Sequence, residues 1–279
     1  MSGASEIEWS SIVVDRPRER VHRVTLNRPD RRNAIDNVMR GELLDALHRA
    51  DADDDVRLTV VRGAGKCFSS GYDLGSDLSA DRPYETAPGP AGWARHVQQG
   101  WMSIWDLAKP VIAQVHGYAM AGGSELAAAC DLVYIEDQAK VSHPVVRVAG
   151  TPDFAFHPWL VGMRNAMEQL LTGDPVTGEM SVQMGFANRA FPIDTLEDEV
   201  LAIAERIAQV PAGLLRANKR TVHAAMDAMG ARAAIRAATD IQAVLPYLDD
   251  VKENLADIGN NVKRQAASAT STGAEETTT

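Results

Sequence analysis

Two cysteines in 279 residues, Cys67 and Cys130, are too few for a disulfide scaffold, and they show neither a CxxC spacing nor a metal-ligand pattern. That scarcity suits a reducing cytoplasm. Positive charge is also in deficit, with 28 Lys and Arg against 38 Asp and Glu and a net charge of -10. Such a balance disfavours nonspecific attraction to nucleic acid or an anionic membrane, so an anionic ligand must meet a local basic patch. Long apolar runs are missing too. The most apolar stretch, 110–130, is interrupted by Gln114, His116, three glycines and Glu125, which excludes a membrane span there. The N-terminal MSGASEIEWSS has no basic start followed by an apolar run, so no secretory signal is expected. The seven histidines include no HExxH pattern, and no metal is expected.

What remains is a chain that is 45% hydrophobic and 24% charged, enough for one substantial core with an appendage. Residues 6–15 and 20–27, rich in Ile, Val and Thr, read as two strands joined by a polar PRER turn. After the polar NRPDRRN loop, Val38, Met39, Leu43, Leu44 and Leu47 recur at helical spacing. Strand 57–61 follows, then a glycine-rich loop, a polar segment over 76–92 and a helix around 93–107 carrying Trp101 and Trp105, which are expected to be buried together with Trp159. The second half repeats the pattern: strand 110–115, the glycine-broken HGYAMAGGS, an Ala-rich helix at 125–129 and strand 131–135. Two rounds of strand, glycine loop and helix predict an α/β fold of repeated ββα units. From Trp159 the pattern turns mainly helical, with a short strand near 188–191. A C-terminal helical region is expected over 201–265, where Leu214, Leu215, Val222, Met226 and Met229 form an apolar stripe, behind a core over 1–200. The segment 266–279 has no large apolar residue and reads as a disordered tail.

Two loops carry the chemistry. RGAGKCFSSGYDL (62–74) spends glycines where a backbone must turn tightly and can aim a bare N–H. It is no phosphate loop, because Gly65-Lys66 is followed by Cys67 rather than Ser or Thr. HGYAMAGGSELAAACDL (116–132) puts Gly122 and Gly123 ahead of a helix, whose first amides are good anion donors. Facing each other, two such loops would hold the oxyanion formed when a thioester carbonyl becomes an enolate or tetrahedral adduct. Ser69, Ser70 and Ser124 have no His-Asp partners in hydrolase order, and they read as small loop residues.

Taken together and in this order, LNRPDRRNAI (26–35), VVRGAGKCFSSGYDL (60–74), PVIAQVHGYAMAGGSELAAACDL (110–132) and LLTGDPV (170–176) resemble the crotonase (enoyl-CoA hydratase/isomerase) superfamily. The resemblance implies a spiral of ββα turns with a C-terminal helical trimerisation region, a homotrimer or dimer of trimers, an acyl-CoA substrate, and no cofactor beyond the CoA that the substrate carries. It places the oxyanion-hole amides on Tyr72, after Gly71, and on Gly122. It assigns CoA contacts to the loops holding Arg31, Arg32 and Lys66, together with Gly71 and Asp73. For these cations the other reading is ordinary surface charge.

Glu125 matches one of the two glutamates of the family's hydratases. The other reading is a helix-start Glu favoured by the dipole. The second glutamate's position is Val145, which can neither deprotonate nor hold a water, so ordinary two-glutamate hydration does not follow. Asp153, in PDFAFHPW (152–159), stands where dienoyl-CoA isomerases and 4-chlorobenzoyl-CoA dehalogenases carry a catalytic aspartate; its other reading is a turn or N-cap after Pro152. His143 and His157 flank it and read as structural. The expected activity is of enoyl-CoA hydratase/isomerase type. Hydrolysis of a cyclic or branched acyl-CoA, including C–C hydrolysis, and a noncatalytic CoA-binding role stay open.

Overall fold

β-Branched residues at 12–14 and at 21, 24 and 25 favour two antiparallel strands, β1 (Ile12–Arg18) and β2 (Val21–Leu26), in register from Ile12 opposite Leu26 to Arg18 opposite Val21. The computed structural model describes residues 8–86, 92–148, 150–242 and 244–257. The tail expected at 266–279 lies outside these, as do residues 87–91 of the polar segment expected at 76–92. PRER, expected as the turn, instead continues β1 to Arg18: an irregular register between Asp15 and Arg18 accommodates Pro17 on this edge strand, and the reversal falls at Glu19 and Arg20.

Asp36 caps α1 (Asn37–Ala52) by accepting a hydrogen bond from the Met39 amide at 2.8 Å. Met39, Leu43, Leu44 and Leu47 are buried as their spacing predicted, whereas Val38 faces outward. β3 (Leu58–Gly63), α2 (Gly92–Asp106) and β4 (Val111–Val115) follow. Next come β5 (Tyr118–Met120), α3 (Gly122–Ala129), β6 (Leu132–Glu136) and β7 (Lys140–Ser142). A short α4 (His157–Leu160) and α5 (Gly162–Thr172) lead to β8 (Val176–Thr177), α6 (Gly178–Met184) and β9 (Arg189–Phe191). The remaining helices are α7 (Ile193–Ala208), α8 (Ala212–Ala228) and α9 (Ala231–Gln242).

The main sheet runs β1-β2-β3-β4-β6-β9, all parallel after the first pair, and a smaller sheet runs β5-β7-β8. Strand, short strand and helix in β4, β5 and α3 make one full ββα turn, and β6 with β7 opens the next. β5 and β7 escape a sequence reading because each has three residues, too few to show alternation. Both faces of the main sheet are covered, which explains its continuous apolar strands. Val61, Ala113 and Ile135 face α1, α2 and α3, while Val60, Ile112 and Tyr134 pack against Leu196, Val200 and Ile203 of α7.

α8 is tied down by a buried ion cluster. Lys219 Nζ donates to Asp131 Oδ2 at 2.8 Å and to the carbonyls of Ile104 and Lys109 at 2.9 and 3.1 Å, and His223 Nε2 lies 2.7 Å from Asp131 Oδ1. The apolar stripe expected on this helix splits: Leu215 is buried and Met226 packs against the core, but Leu214, Val222 and Met229 are exposed. α9 lies along α2 through the buried Ala231, Ile235 and Thr239.

Candidate functional site

The NRPDRRN loop is locked to the first glycine loop by Asn33, which has no exposed surface. Its amide nitrogen donates to the carbonyls of Ala64 and Cys67 at 2.8 and 2.9 Å, its side-chain oxygen accepts from the Arg28 amide at 3.0 Å, and its own carbonyl accepts from the Ser69 hydroxyl at 2.8 Å. Arg32 and Asn33 are both left-handed, at φ 56 and 52, a conformation that Asn tolerates better than most residues. This register brings Ile35 beside Tyr72. The Ile35 amide donates to the Gly71 carbonyl at 2.8 Å, and the Asp73 amide donates to the Ile35 carbonyl at 2.9 Å. Because peptide groups alternate along an extended chain, the Tyr72 N–H faces away from Ile35, toward the turn between β5 and α3.

There the backbones nearly touch. Gly71 sits at φ 101, and a Cβ on it would stand 2.9 Å from the Met120 carbonyl oxygen and 3.2 Å from the Gly122 amide nitrogen, so only glycine serves at this position. Gly122 opens α3, and no side chain caps that end. The ring of Tyr72 lies directly across Gly122, where a Cβ would fall 2.5 to 2.7 Å from the ring carbons.

One turn into α3, Glu125 is wholly buried. Its Oε2 accepts a short hydrogen bond from the Tyr72 hydroxyl, and its Oε1 accepts from the Asp153 amide at 2.9 Å. The Trp101 indole donates to the Tyr72 hydroxyl at 2.9 Å, which orients that hydroxyl toward the carboxylate. Asp153 is 6% exposed, and its Oδ1 accepts from Gln242 Nε2, at the end of α9, at 2.7 Å. It caps no helix, since α4 begins at His157 without a side-chain cap. Its backbone therefore serves Glu125 while its carboxylate meets α9.

Burial, followed by the charge of Asp153, raises the Glu125 pKa well above the carboxylate range, against the pull of the Tyr72 hydroxyl and the neighbouring amides. Burial also raises Asp153, partly offset by Gln242, Trp93 and the more distant Arg40. Burial and the Glu125 charge push the Tyr72 phenol far above its usual value, so it stays a donor. His143, whose Nδ1 is 3.9 Å from Glu125 Oε1, is lowered by burial to about 4, and His157 to about 3, so both are neutral near pH 7. They pack as rings rather than charges.

The structure thus brings Tyr72, Gly122, Glu125 and Asp153 together. Arg31, Arg32 and Lys66 lie on the solvent side of the two loops, and none has an ion-pair partner among the described residues. Asp73 is turned inward, held by Arg28 Nη2 at 2.8 Å and by the Gly75 amide at 3.0 Å; Arg28 Nη1 also holds Asp36 at 2.8 Å. A carboxylate so engaged shapes the loop. Val145 lies in a 3-10 turn, Pro144–Arg147, where it supplies no acid. Sequence reasoning missed Arg28, Asn33, Trp101 and Gln242 as members of this assembly. The first arginine and second asparagine of NRPDRRN were visible signals; Gln242, 89 positions from Asp153, gave none.

The sequence model of the enoyl-CoA hydratase/isomerase family matches residues 16–259. EchA13 of Mycobacterium tuberculosis, assigned provisionally as an enoyl-CoA hydratase, is 35% identical over 239 residues, covering 77% of this chain and 74% of that protein. Among solved structures, an enoyl-CoA hydratase from Mycobacterium smegmatis superposes with a TM-score of 0.81 at 28% identity, over 92% of this chain and 91% of its own. An enoyl-CoA hydratase/isomerase from Xanthobacter autotrophicus Py2 gives 0.78 at 31% identity, over 89% and 97%. The repeated ββα turns, the two abutting glycine loops and these matches agree: the chain belongs to the enoyl-CoA hydratase/isomerase family and has the crotonase fold.

Proposed function

We propose that the protein moves protons on an acyl-CoA thioester, with double-bond isomerisation as its main reaction. The amides of Tyr72 and Gly122 would receive the thioester oxygen, and Glu125 with Asp153 would carry the protons. One observation carries this reading: both carboxyl groups are buried side by side next to the abutting glycine loops, while Val145 leaves no third acid to hold a water.

In the forward direction, Glu125 as carboxylate takes the proton from the carbon next to the thioester of a 3-enoyl group. The C–H electrons form a new carbon–carbon double bond, and the carbonyl electrons collect on oxygen, where two N–H donors stabilise them. When the dienolate collapses, the carbonyl reforms and the distal carbon takes a proton from the carboxyl pair, giving the 2-enoyl isomer. A raised carboxyl pKa suits both halves, because the base is strong when ionised and the acid remains protonated near neutrality. Arg31, Arg32 and Lys66 would meet the CoA phosphates, and no further cofactor is needed. The exposed Leu214, Val222 and Met229 fit contacts in a homotrimer or dimer of trimers, to be checked by light scattering.

Hydration is the second reading, favoured by the names of the relatives above, and would require Glu125 and Asp153 to position a water between them. Incubation with matched 2-enoyl- and 3-enoyl-CoAs in D2O separates the outcomes. Isomerisation gives a shifted double bond with deuterium on carbon. Formation of 3-hydroxyacyl-CoA alone establishes hydration instead, and release of a free or ring-opened acid establishes hydrolysis. Turnover unchanged in both Glu125→Gln and Asp153→Asn overturns the site assignment.

A further inference from the structure

On the far side of the Trp93 ring from Tyr72 and Glu125 lies a charged side chain that none of the chemistry above uses. Arg40, on the inward face of α1, is 1% exposed. Its Nη2 donates to Asn37 Oδ1 at 2.6 Å, but Nε and Nη1 are buried with no hydrogen-bond partner among the described residues. The guanidinium carbon lies 4.9 Å from the centre of the Trp93 ring, and Trp93 meets the Tyr72 ring edge-on at 5.6 Å. Arg40 is therefore two ring contacts from the hydroxyl that holds Glu125.

A guanidinium cannot escape burial by losing its proton, and Asp153, the carboxylate whose charge reaches Arg40, makes no ion pair or hydrogen bond with it among the described residues, so two of its donor atoms stay unmet. The surroundings add to this surplus of donors. His96 is fully buried with both ring nitrogens unpartnered, and burial and the Arg40 charge lower it to about 4, so it stays neutral. Native interiors leave few such groups unfilled, and a buried arginine with two unmet donor atoms behind Trp93 fits a ligand that brings its own oxygen atoms.

Access follows the same geometry. Glu125 is as enclosed as Arg40, so a substrate that reaches Glu125 while the Tyr72 hydroxyl stays on it would displace the half-buried Trp93 ring, which meets both Tyr72 and Arg40. Moving Trp93 removes the cover of Arg40 in the same step.

Resting on the acyl-CoA reading, we propose that the acyl group carries a carboxylate at the end remote from the thioester, and that Arg40 binds it through the donors now unpartnered. The preference would be selective rather than a general pull on anions, because the net charge of the protein is -10.

Calorimetry with two CoA thioethers, which lack the reactive carbonyl, tests this without turnover; the two differ only in ending in a carboxylate or a methyl group. The carboxylate-ended analogue should bind the full-length protein roughly 10- to 100-fold more tightly, the range of a charge-assisted hydrogen bond at a buried site. Arg40→Gln should abolish the preference without weakening the methyl-ended analogue, and Arg40→Lys should keep part of it. Equal binding of the two analogues by the unaltered protein, or preference for methyl, overturns the inference and leaves the acyl-CoA reading intact. Binding of neither analogue overturns both. The comparison on the unaltered protein decides the matter even if the variants do not fold.

Discussion

Replacing Glu125 by Gln should change the way stability depends on pH, in a direction fixed by the burial of this group. In the folded chain its carboxyl has a pKa raised by desolvation and by Asp153, whereas in the unfolded chain it titrates near the ordinary value of about 4.3. Between these two values the folded state holds a proton that the unfolded state has released. Stability conferred by the protonated form is therefore complete at low pH and is lost as pH rises, by about 1.4 kcal/mol per pH unit for one proton. From pH 5 to pH 7 that amounts to about 2 to 3 kcal/mol. Gln matches Glu in shape and cannot ionise, so it removes this dependence and leaves only the part due to Asp153. It has its own cost: Oε1 can still accept from the Asp153 amide, but Nε2 must then donate to the Tyr72 hydroxyl, which already accepts from Trp101, so the phenolic proton loses its acceptor. An unmet buried donor costs about 1 to 3 kcal/mol. Glu125→Gln should thus be less stable than the natural protein at pH 5 and should reach or pass it by pH 8. Urea unfolding followed by tryptophan fluorescence at several pH values measures the difference. A gap that stays constant over that range would refute the reasoning, because it would mean Glu125 is already ionised in the fold.

Three further outcomes follow from the same contacts. Tyr72→Phe removes the hydroxyl that favours ionised Glu125, so the rising limb of the rate against pH should move up by about 1 to 2 pH units, with turnover at neutral pH falling by about 10-fold or more; an unshifted profile would show that the hydroxyl is idle. Gly122→Ala places a methyl group inside the Tyr72 ring, and activity should fall by about 100-fold or more while circular dichroism retains the native fold, since the ring can swing aside only by abandoning Glu125. Lys219→Met leaves Asp131 with His223 as its remaining side-chain partner and should cost about 3 to 5 kcal/mol in denaturant unfolding, the scale for breaking a buried ion pair from one side.

What could be read from the chain alone was what its backbone needs. Gly71 and Gly122 are required by the close approach of two loops, so glycines in that order announced the abutting loops before any coordinates. Glu125 could be singled out because a lone carboxylate among Ala and Leu has few structural uses. The helices with strong spacing, such as α1, came through with only their ends misplaced, and PRER failed as a turn because an edge strand tolerates Pro. Contacts set by tertiary packing were hidden. Nothing local marks Gln242 as a partner of Asp153, or Arg40 as a buried cation with unmet donors, because both depend on how α9 and α1 pack around the site. Tyr72 shows the same limit within one residue. Its amide was legible from the loop, whereas its ring, lying over Gly122 with its hydroxyl on Glu125, was not.

The hydrogen bond from Gln242 to Asp153 also bears on how the molecule is made. Residues that surround Glu125 and Asp153 begin at Arg28 and finish only at Gln242, so a ribosome must read past α9 before any copy can work. A prematurely stopped product lacking α9 would still contain both sheets, α3 and Glu125, yet Asp153 would lose its partner. On the proposed acyl-CoA reading, such fragments should compete for CoA thioesters without converting them normally, which makes late truncations more harmful than early ones.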